Sequence, residues 1–299
     1  MKYLIIFFFT FIFFSFGSEV YNYKKIKNGE NLVITFDDNE GIIDWDDSGN
    51  RIVFTSSYNG AKNIYYLDLM NIKFSSVTKD FYTANYISEL IDKKKIYFPI
   101  TAGIDTIFEC PKWSSSGNRI LSIGTYSETS EIFYTNRSTL KTIGTGIKDV
   151  ATVCWKSNSE VYFVKKIEPK NLYKVNLKTK KDSLILNASQ NILGISKQKG
   201  VIYLACNGGV LEYRKETKKQ KWYKMNINGK TAWKLDKLSF IVKNMNGEAQ
   251  IIDLNNGTSE ALFIGDGDGE PALSENKKYV AFYSKFLNGI VIKKLNNKY

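Results

Sequence analysis

The sequence predicts an all-β fold, a single β-propeller, on three observations. A phrase at residues 41–69, GIIDWDDSGNRIVFTSSYNGAKNIYYLDL, returns at residues 110–136 as CPKWSSSGNRILSIGTYSETSEIFYTN. Each copy divides into short runs of β-branched and aromatic residues, separated by Gly, Asn, Ser and Asp, which is the pattern of strands and turns. No segment shows a sustained helical period. A repeat of about 40 residues with four strands is typical of a propeller blade.

The spacing inside the phrase identifies it as an internal repeat. Trp45 and Trp113 are each followed by a glycine four residues later and by isoleucines seven and nineteen residues later. Weaker copies, 38 to 42 residues apart, place Trp155, Ile195, Trp233 and Leu273 in the tryptophan position. Equal spacing over mostly different residues indicates structural units that stack against each other.

The strands of the first copy follow from its apolar runs. We expect them at IIDWD (42–46), RIVFTSS (51–57), NIYYLDL (63–69) and KFSSVT (73–78). The inner strands are apolar on both faces, as expected for sheets that pack against neighbours on both sides. The turns DDSGN and SSSGN join the first two strands and supply a glycine for positive φ.

The number of blades depends on one long interval. Trp45 and Trp113 are 68 residues apart, which is too long for one unit and short for two. We interpret residues 86–109 as an abbreviated blade, which predicts seven blades; if they are an insertion, the number is six. The last copy lacks a fourth strand, whereas NLVITF (31–36) precedes the first copy unpaired. We therefore expect the amino-terminal strand to complete the last blade, because an open sheet edge invites aggregation.

The phrase also resembles the WD-like repeat of TolB-type propellers. Pro111–Trp113 and Gly117 match the family's turn best, although the proline within that turn is absent here. The resemblance covers about residues 41–295 and leaves no place for the amino-terminal α/β domain of full TolB. It implies a non-enzymatic binding or scaffold protein that mediates protein–protein interaction in a bacterial cell envelope.

The amino terminus has the features of a secretory signal. The apolar run Leu4–Phe14 is followed by the small residues Ser15 and Gly17. A membrane span needs about 20 apolar residues. We therefore expect a signal peptide at residues 1–17 and a propeller domain at residues 18–299, with an uncleaved anchor as the alternative. The predicted protein is periplasmic or secreted, monomeric, and without a stable membrane span after cleavage.

Composition argues against several function classes. The chain has no histidine, so it lacks the commonest general base and metal ligand, and a Ser–His–Asp hydrolase is not expected. The formal charge is +12, carried almost entirely by lysine, without an arginine cluster that would indicate a nucleic-acid partner. We predict no enzyme. A carboxylate-based glycosidase is the alternative, since such catalysis needs only two acidic side chains.

Three cysteines cannot all pair with each other. Cys110 and Cys154 come shortly before tryptophans in predicted inner strands. We expect buried, unbridged thiols that pack as small apolar side chains. A bridge between Cys110 and Cys154 is the alternative.

One loop carries alternating acidic residues and glycines. In IGDGDGEPALS (264–274), Asp266, Asp268 and Glu270 offer oxygen donors of the type that Ca²⁺ prefers. The stretch lacks the later ligands of an EF-type loop. It is therefore a candidate calcium site or an ordinary loop between blades, and no other cofactor is expected.

The loops from second to third strands and between blades are expected on one rim. There Tyr58, Asn59, Lys62, Tyr126 and Phe286 mix aromatic and polar character, as protein interfaces do. We predict that this rim binds a protein partner in the envelope. The alternative is a carbohydrate or small ligand at the mouth of the central channel, which clustered carboxylates and aromatic rings at that mouth would favour.

Overall fold

The computed structural model describes residues 31–35, 42–56, 62–68, 96–97, 106–139, 141–262, 269–285 and 289–295. Within these ranges the chain forms β-strands and no helix, so no helix there is available to cross a membrane. The strands make six antiparallel sheets of four strands each.

The sheets follow the chain in order. Blade 1 consists of β2 (Asp44–Trp45), β3 (Arg51–Ser56), β4 (Asn63–Asp68) and β5 (Ile96–Tyr97). Blade 2 consists of β6 (Ile107–Trp113), β7 (Arg119–Tyr126), β8 (Thr129–Asn136) and β9 (Thr142–Lys148). Blade 3 consists of β10 (Val150–Trp155), β11 (Glu160–Lys165), β12 (Glu168–Asn176) and β13 (Asp182–Asn187).

The second half of the ring repeats this plan. Blade 4 consists of β14 (Ile192–Gln198), β15 (Val201–Cys206), β16 (Gly209–Arg214) and β17 (Lys219–Lys224). Blade 5 consists of β18 (Ile227–Lys234), β19 (Ser239–Asn244), β20 (Ala249–Asp253) and β21 (Thr258–Ala261). Blade 6 consists of β22 (Ala272–Leu273), β23 (Tyr279–Ser284), β24 (Gly289–Lys294) and β1 (Asn31–Thr35).

The ring closes through its inner strands and its first strand. Each blade's inner strand contacts the inner strand of the next, and β22 of blade 6 contacts β2 of blade 1. The strand β1 pairs antiparallel with β24, from Asn31 opposite Lys293 to Thr35 opposite Gly289. The expected closure by the amino-terminal strand is therefore confirmed, and the fold is a β-propeller.

The described residues form six blades, so the structure does not confirm the prediction of seven. Within residues 86–109, which we interpreted as an abbreviated blade, Ile96 and Tyr97 pair instead with Leu67 and Tyr66 of β4. They become the outer strand of blade 1, because the edge of β4 offers them backbone partners. The end of the same segment already belongs to β6 of blade 2. The expected fourth strand at residues 73–78 lies outside the described residues.

The turn after each repeat tryptophan explains the recurring Asp or Ser and the glycine. Asp46 accepts the backbone N–H groups of Asn50 (3.1 Å) and Arg51 (3.0 Å) with its Oδ1. The carbonyl of Asp46 accepts the N–H of Gly49 at 2.9 Å, and Gly49 has φ +69°. These bonds fix a tight turn that brings the second strand back along the first.

Three of the four repeat tryptophans tie neighbouring blades together through their indole N–H groups. The indole N–H of Trp45 donates to the carbonyl of Ala272 at 2.9 Å, and that of Trp155 donates to the carbonyl of Lys112 at 3.0 Å. Trp233 likewise donates to the carbonyl of Pro271 at 2.7 Å. A large ring that fills the space between two sheets, with its one polar atom bonded across the gap, accounts for tryptophan at this position.

The cysteines behave as buried apolar side chains. Cys110, Cys154 and Cys206 are all buried, and no disulfide joins them. Burial raises the pKa of Cys110 and Cys154 to about 11 and that of Cys206 to about 12. The expectation of unbridged core thiols is confirmed, and the Cys110–Cys154 bridge does not form.

Candidate binding site at the channel mouth

The two sides of the ring carry different connections. We call the side with the turns from first to second and from third to fourth strands the turn face; it includes residues 46–50, 114–118, 199–200 and 235–238. The opposite side, with the second-to-third loops and the connections between blades, is the loop face. The described members of the predicted partner-binding rim, Lys62 and Tyr126, and Glu270 of the acidic loop belong to the loop face.

Two members of the predicted rim are described, and both are bonded within the fold. The ammonium of Lys62 lies 2.8 Å from Oε1 of Glu109, which links blade 1 to blade 2. The hydroxyl of Tyr126 donates to Oε2 of Glu131 at 2.8 Å, and its ring packs edge-on against Phe133. Tyr58, Asn59 and Phe286 lie outside the described residues, so the rim stays a prediction.

Glu270, the described member of the calcium candidate, serves as a tie between blades. Its Oε2 accepts the backbone N–H groups of Lys230 (2.7 Å) and Thr231 (3.0 Å) and the hydroxyl of Thr231 (3.2 Å). Burial raises the pKa of this carboxyl, and these bonds oppose the rise. Asp266 and Asp268 lie outside the described residues, among which no group of three His, Cys, Asp or Glu could hold a metal. The calcium site stays a prediction.

A cavity of about 170 Å³ opens at the channel axis on the turn face. Residues from all six blades line it, because it lies where the inner strands end and their turns begin. Its walls include the four repeat tryptophans. Its charged groups are four carboxylates and three ammoniums, from Asp44, Asp46, Asp47, Glu275, Lys112, Lys197 and Lys199.

Lys112 lines this cavity and is only 4% exposed. The ladder between β6 and β7 shifts register between Glu109 and Lys112, and Cys110 takes φ +53°. The ammonium lies 3.5 Å from Oδ1 of Asp44 and 5.7 Å from the ring centroid of Trp233. It therefore sits between blade 1 and blade 5, and it forms no hydrogen bond with any residue that the structure describes.

Asp44 is the buried carboxylate beside this lysine. Its Oδ2 accepts the backbone N–H of Trp113 at 2.8 Å. Burial raises the pKa of Asp44 to about 6, although the Lys112 charge and the Trp113 N–H limit the rise. The carboxyl therefore exchanges its proton near neutral pH, which makes the polarity of the cavity floor sensitive to pH.

The remaining carboxylates divide into structural and accessible groups. Asp46 holds the turn and pairs with Arg51 at 2.8 Å, so its oxygens are committed to the fold. Asp47 is exposed and Glu275 partly exposed at the mouth. Burial raises the pKa of both, and neighbouring carboxylates add to the rise: Asp46 for Asp47, and Asp47 for Glu275. Negative charge at the mouth is thus concentrated on Asp47 and Glu275.

Sequence reasoning identified none of these cavity residues as a site. A signal was present in the repeat, at the position directly before the tryptophan. That position is Cys154 in blade 3 and Ala232 in blade 5, but Asp44 in blade 1 and Lys112 in blade 2. Charged side chains at a position that other copies fill with small residues indicate a specialised site. Comparing the copies position by position could have found it.

Comparisons with known proteins support the fold. No protein-family model matches the chain, and no curated protein matches its sequence. Among solved structures, an oligogalacturonate lyase from Vibrio parahaemolyticus has TM-score 0.53 and 12% identity over 89% of this chain and 92% of that one. TolB from Acinetobacter baumannii has TM-score 0.53 and 10% identity over 84% of this chain and 65% of that one.

A third structure, a protein of unknown function from Bacteroides thetaiotaomicron, has TM-score 0.55 and 10% identity over 89% of this chain and 76% of that one. At such identities the likeness extends to the fold alone. The neighbours include both a lyase and TolB, so they do not decide between enzyme and binding protein. The chain is a β-propeller, and the TolB-like assignment stays a prediction.

Proposed function

We propose that this chain is a non-enzymatic binding propeller of the cell envelope, and that its channel mouth takes a small polar ligand of the saccharide class. The observation that carries the proposal is the cavity around Lys112, where a buried ammonium that forms no hydrogen bond among the described residues lies 3.5 Å from a titratable carboxyl, beside the repeat tryptophans. Sugar hydroxyls both donate and accept hydrogen bonds, so they suit neighbouring lysines and carboxylates. This favours the small-ligand hypothesis over the partner-binding rim.

The same geometry supports binding rather than glycoside hydrolysis. A glycosidase needs a protonated acid and a second carboxylate about 5–10 Å apart, both reaching the substrate. The raised pKa of Asp44 would suit an acid. However, Oδ2 of Asp44 is bonded to the Trp113 N–H and Oδ1 faces Lys112, so neither oxygen is directed to a substrate.

The test is calorimetric titration of the protein with neutral and uronate-containing oligosaccharides. Lys112→Met should abolish binding, because it removes the buried donor while keeping the length of the side chain. Glu275→Gln should weaken binding, since it removes a carboxylate acceptor at the mouth. Lys178→Met, on the exposed end of blade 3, is the matched control and should bind as the unaltered protein does. Equal affinity of all four proteins would contradict the proposal.

A protein partner in the envelope is the second candidate function. It is supported by a strongly basic groove between blades 4 and 5 on the same turn face. Both candidate functions include export of the protein by a signal at residues 1–17.

A further inference from the structure

The basic groove is a concave surface of about 410 Å³ between blades 4 and 5. Arg214 and Lys219 flank the third-to-fourth turn of blade 4. Lys234 precedes the first-to-second turn of blade 5, and Lys237 lies within it. Lys221 of β17 contributes a fifth cation. Among the described residues of the lining, Glu212 is the one carboxylate, so five positive groups face one negative group.

Three of the five cations have no counter-ion in the part of the chain that the structure describes. Glu212 pairs with Lys234 at 2.7 Å and with Arg214 at 2.8 Å, which uses both of its oxygens. Lys219, Lys221 and Lys237 form no ion pair with any described carboxylate, although Lys221 lies over the Tyr223 ring. The groove therefore presents positive charge that the fold itself does not neutralise. Such a surface attracts a negatively charged partner.

The floor of the groove is rigid. The Tyr223 hydroxyl donates to Oε2 of Glu212 at 2.9 Å, and the ammonium of Lys234 donates to the Tyr223 oxygen at 2.8 Å. The same ammonium lies 5.0 Å from the Tyr223 ring centroid. A floor fixed by these bonds loses little conformational entropy when a partner binds.

The arrangement of charges along β17 fits an extended chain. Lys219 and Lys221 are two residues apart on the outer strand of blade 4, and side chains at that spacing lie about 7 Å apart on one face. Alternate side chains of an extended peptide have the same spacing. Trp222, the residue after Lys221, faces the other side of β17 and does not line the groove.

We propose that the basic groove docks an extended acidic segment of a partner protein, with carboxylates at alternate positions facing Lys219 and Lys221. This inference rests on the protein-partner candidate for the function and names its site and chemistry. It is independent of the saccharide proposed for the channel mouth.

The experiment measures fluorescence anisotropy of a labelled octapeptide, (Glu-Thr)₄, titrated with the full chain. The unaltered protein should bind it and should not bind the matched (Gln-Thr)₄ peptide. The variant Lys219→Glu/Lys221→Glu should lose at least about tenfold in affinity, because it replaces two attractions by two repulsions. The control Lys178→Glu/Lys181→Glu makes the same change of net charge on exposed residues of blade 3 and should bind as the unaltered protein does.

A third variant tests which face of β17 is used. Trp222→Ala leaves the charge unchanged and alters the face turned away from the groove, so peptide affinity should stay as in the unaltered protein. Melting curves show whether each variant is folded. Equal losses in the groove variant and the blade 3 control, or an equal loss in Trp222→Ala, would overturn the proposal.

Two further arms identify other outcomes. Binding to phosphatidylglycerol vesicles that requires Lys219 and Lys221, without binding of (Glu-Thr)₄, would assign the groove to a lipid surface and overturn the proposal. Lys112→Met should leave peptide affinity unchanged. If Lys112→Met loses saccharide binding and keeps peptide binding, the two sites act independently. Failure of one proposal would then not imply failure of the other.

Discussion

Two lysine–carboxylate pairs on the turn face differ in almost every respect. In the groove, the ammonium of Lys234 lies 2.7 Å from Glu212. Glu212 also pairs with Arg214 and accepts a hydrogen bond from the Tyr223 hydroxyl. In the channel, the ammonium of Lys112 lies 3.5 Å from Asp44 and has no hydrogen-bond acceptor among the described residues. One pair is fully bonded and the other is not.

The acidities of the two carboxyls follow from this difference. Burial alone would raise the pKa of Glu212, but hydrogen bonds from Lys234, Arg214 and Tyr223 outweigh it, and the pKa falls to about 2. For Asp44 burial dominates, and the pKa rises to about 6. The number and quality of the bonds to each carboxylate decide which influence wins.

The two pairs differ in role: one stabilises the fold, and the other is a candidate for ligand binding. A buried ion pair whose donors and acceptors are all satisfied holds the fold and leaves nothing for a ligand to complete. A buried ammonium without an acceptor carries a cost that a ligand could offset. We therefore assign Glu212 to the floor beneath a docking surface, and Lys112 to ligand contact.

The largest expected effect is on the satisfied pair. Glu212→Gln removes the charge that Lys234 and Arg214 share, and we expect the free energy of unfolding to fall by about 2–3 kcal/mol at pH 7. Urea unfolding measures it. Glu216→Gln, an exposed carboxylate in the adjacent turn, is the control and should change stability by less than about 0.5 kcal/mol. Equal effects would show that the groove network does not stabilise the fold.

A smaller and pH-dependent effect is expected in the channel. Lys112→Met leaves Asp44 buried without a cation, so the pKa of Asp44 should rise further above its value of about 6. At pH 8, where Asp44 is ionised in the unaltered protein, we expect a loss of about 1–2 kcal/mol. At pH 5 the carboxyl is protonated, and the loss should largely disappear. Unfolding measured at both pH values tests this.

The double variant Lys112→Met/Asp44→Asn provides the control for that prediction. It removes both charges, so most of the stability at pH 8 should return. A loss that is the same at pH 5 and pH 8, or that the double variant does not restore, would show that Lys112 acts through packing alone.

The unaltered protein should show the linkage directly. The pKa of Asp44 is about 6 in the folded chain, whereas the ordinary value of an aspartate is 3.8, so the folded state binds the additional proton between these values. The stability that this proton contributes is complete below about pH 4 and is lost as pH rises through 6. The contribution of Glu212 to stability changes with pH in the opposite direction, and it is lost as pH falls from about 4.5 through about 2.

Carbon-13 NMR of the side-chain carboxyls measures both groups without a mutation. Titration midpoints near 6 for Asp44 and well below 4.5 for Glu212 would sharpen the comparison. Coinciding midpoints would contradict the difference in pKa between the two carboxyls.

The smallest expected effect is an absence of reaction. Cys154 lines the same cavity as Asp44, and burial raises its pKa to about 11. Ellman's reagent should therefore leave all three thiols unmodified until the protein is unfolded. Rapid labelling of Cys154 in the folded protein would mean that the floor of the channel is open, and the account of Asp44 as a desolvated carboxyl would fail.

The sequence was informative where structure is local. The turn at Asp46 and Gly49 and the strands on either side follow from neighbours in the chain, and the β1 closure follows from counting strands. The blade number could not be predicted in the same way, because the two-residue strand Ile96–Tyr97 is specified by the edge of β4 rather than by its own sequence.

The sites were harder to predict because they join distant residues. Lys112 meets Asp44 and Trp233 from two other blades, across 68 and 121 positions of the sequence. Arg214 and Lys237 line one groove only because blade 4 packs against blade 5. Such groups share no spacing pattern, and only the closed ring brings them together.

The closure by β1 also means that the first strand to be synthesised pairs with the last one. Asn31 leaves the ribosome early, whereas its partner Lys293 follows on the order of 10 to 50 seconds later at 5–20 residues per second. Throughout that interval the first strand has no intramolecular partner strand, and an unfinished ring can pair with the equivalent strand of another copy. Crowded nascent chains are thus prone to exchange this strand, and dilute refolding should favour the self-contained ring.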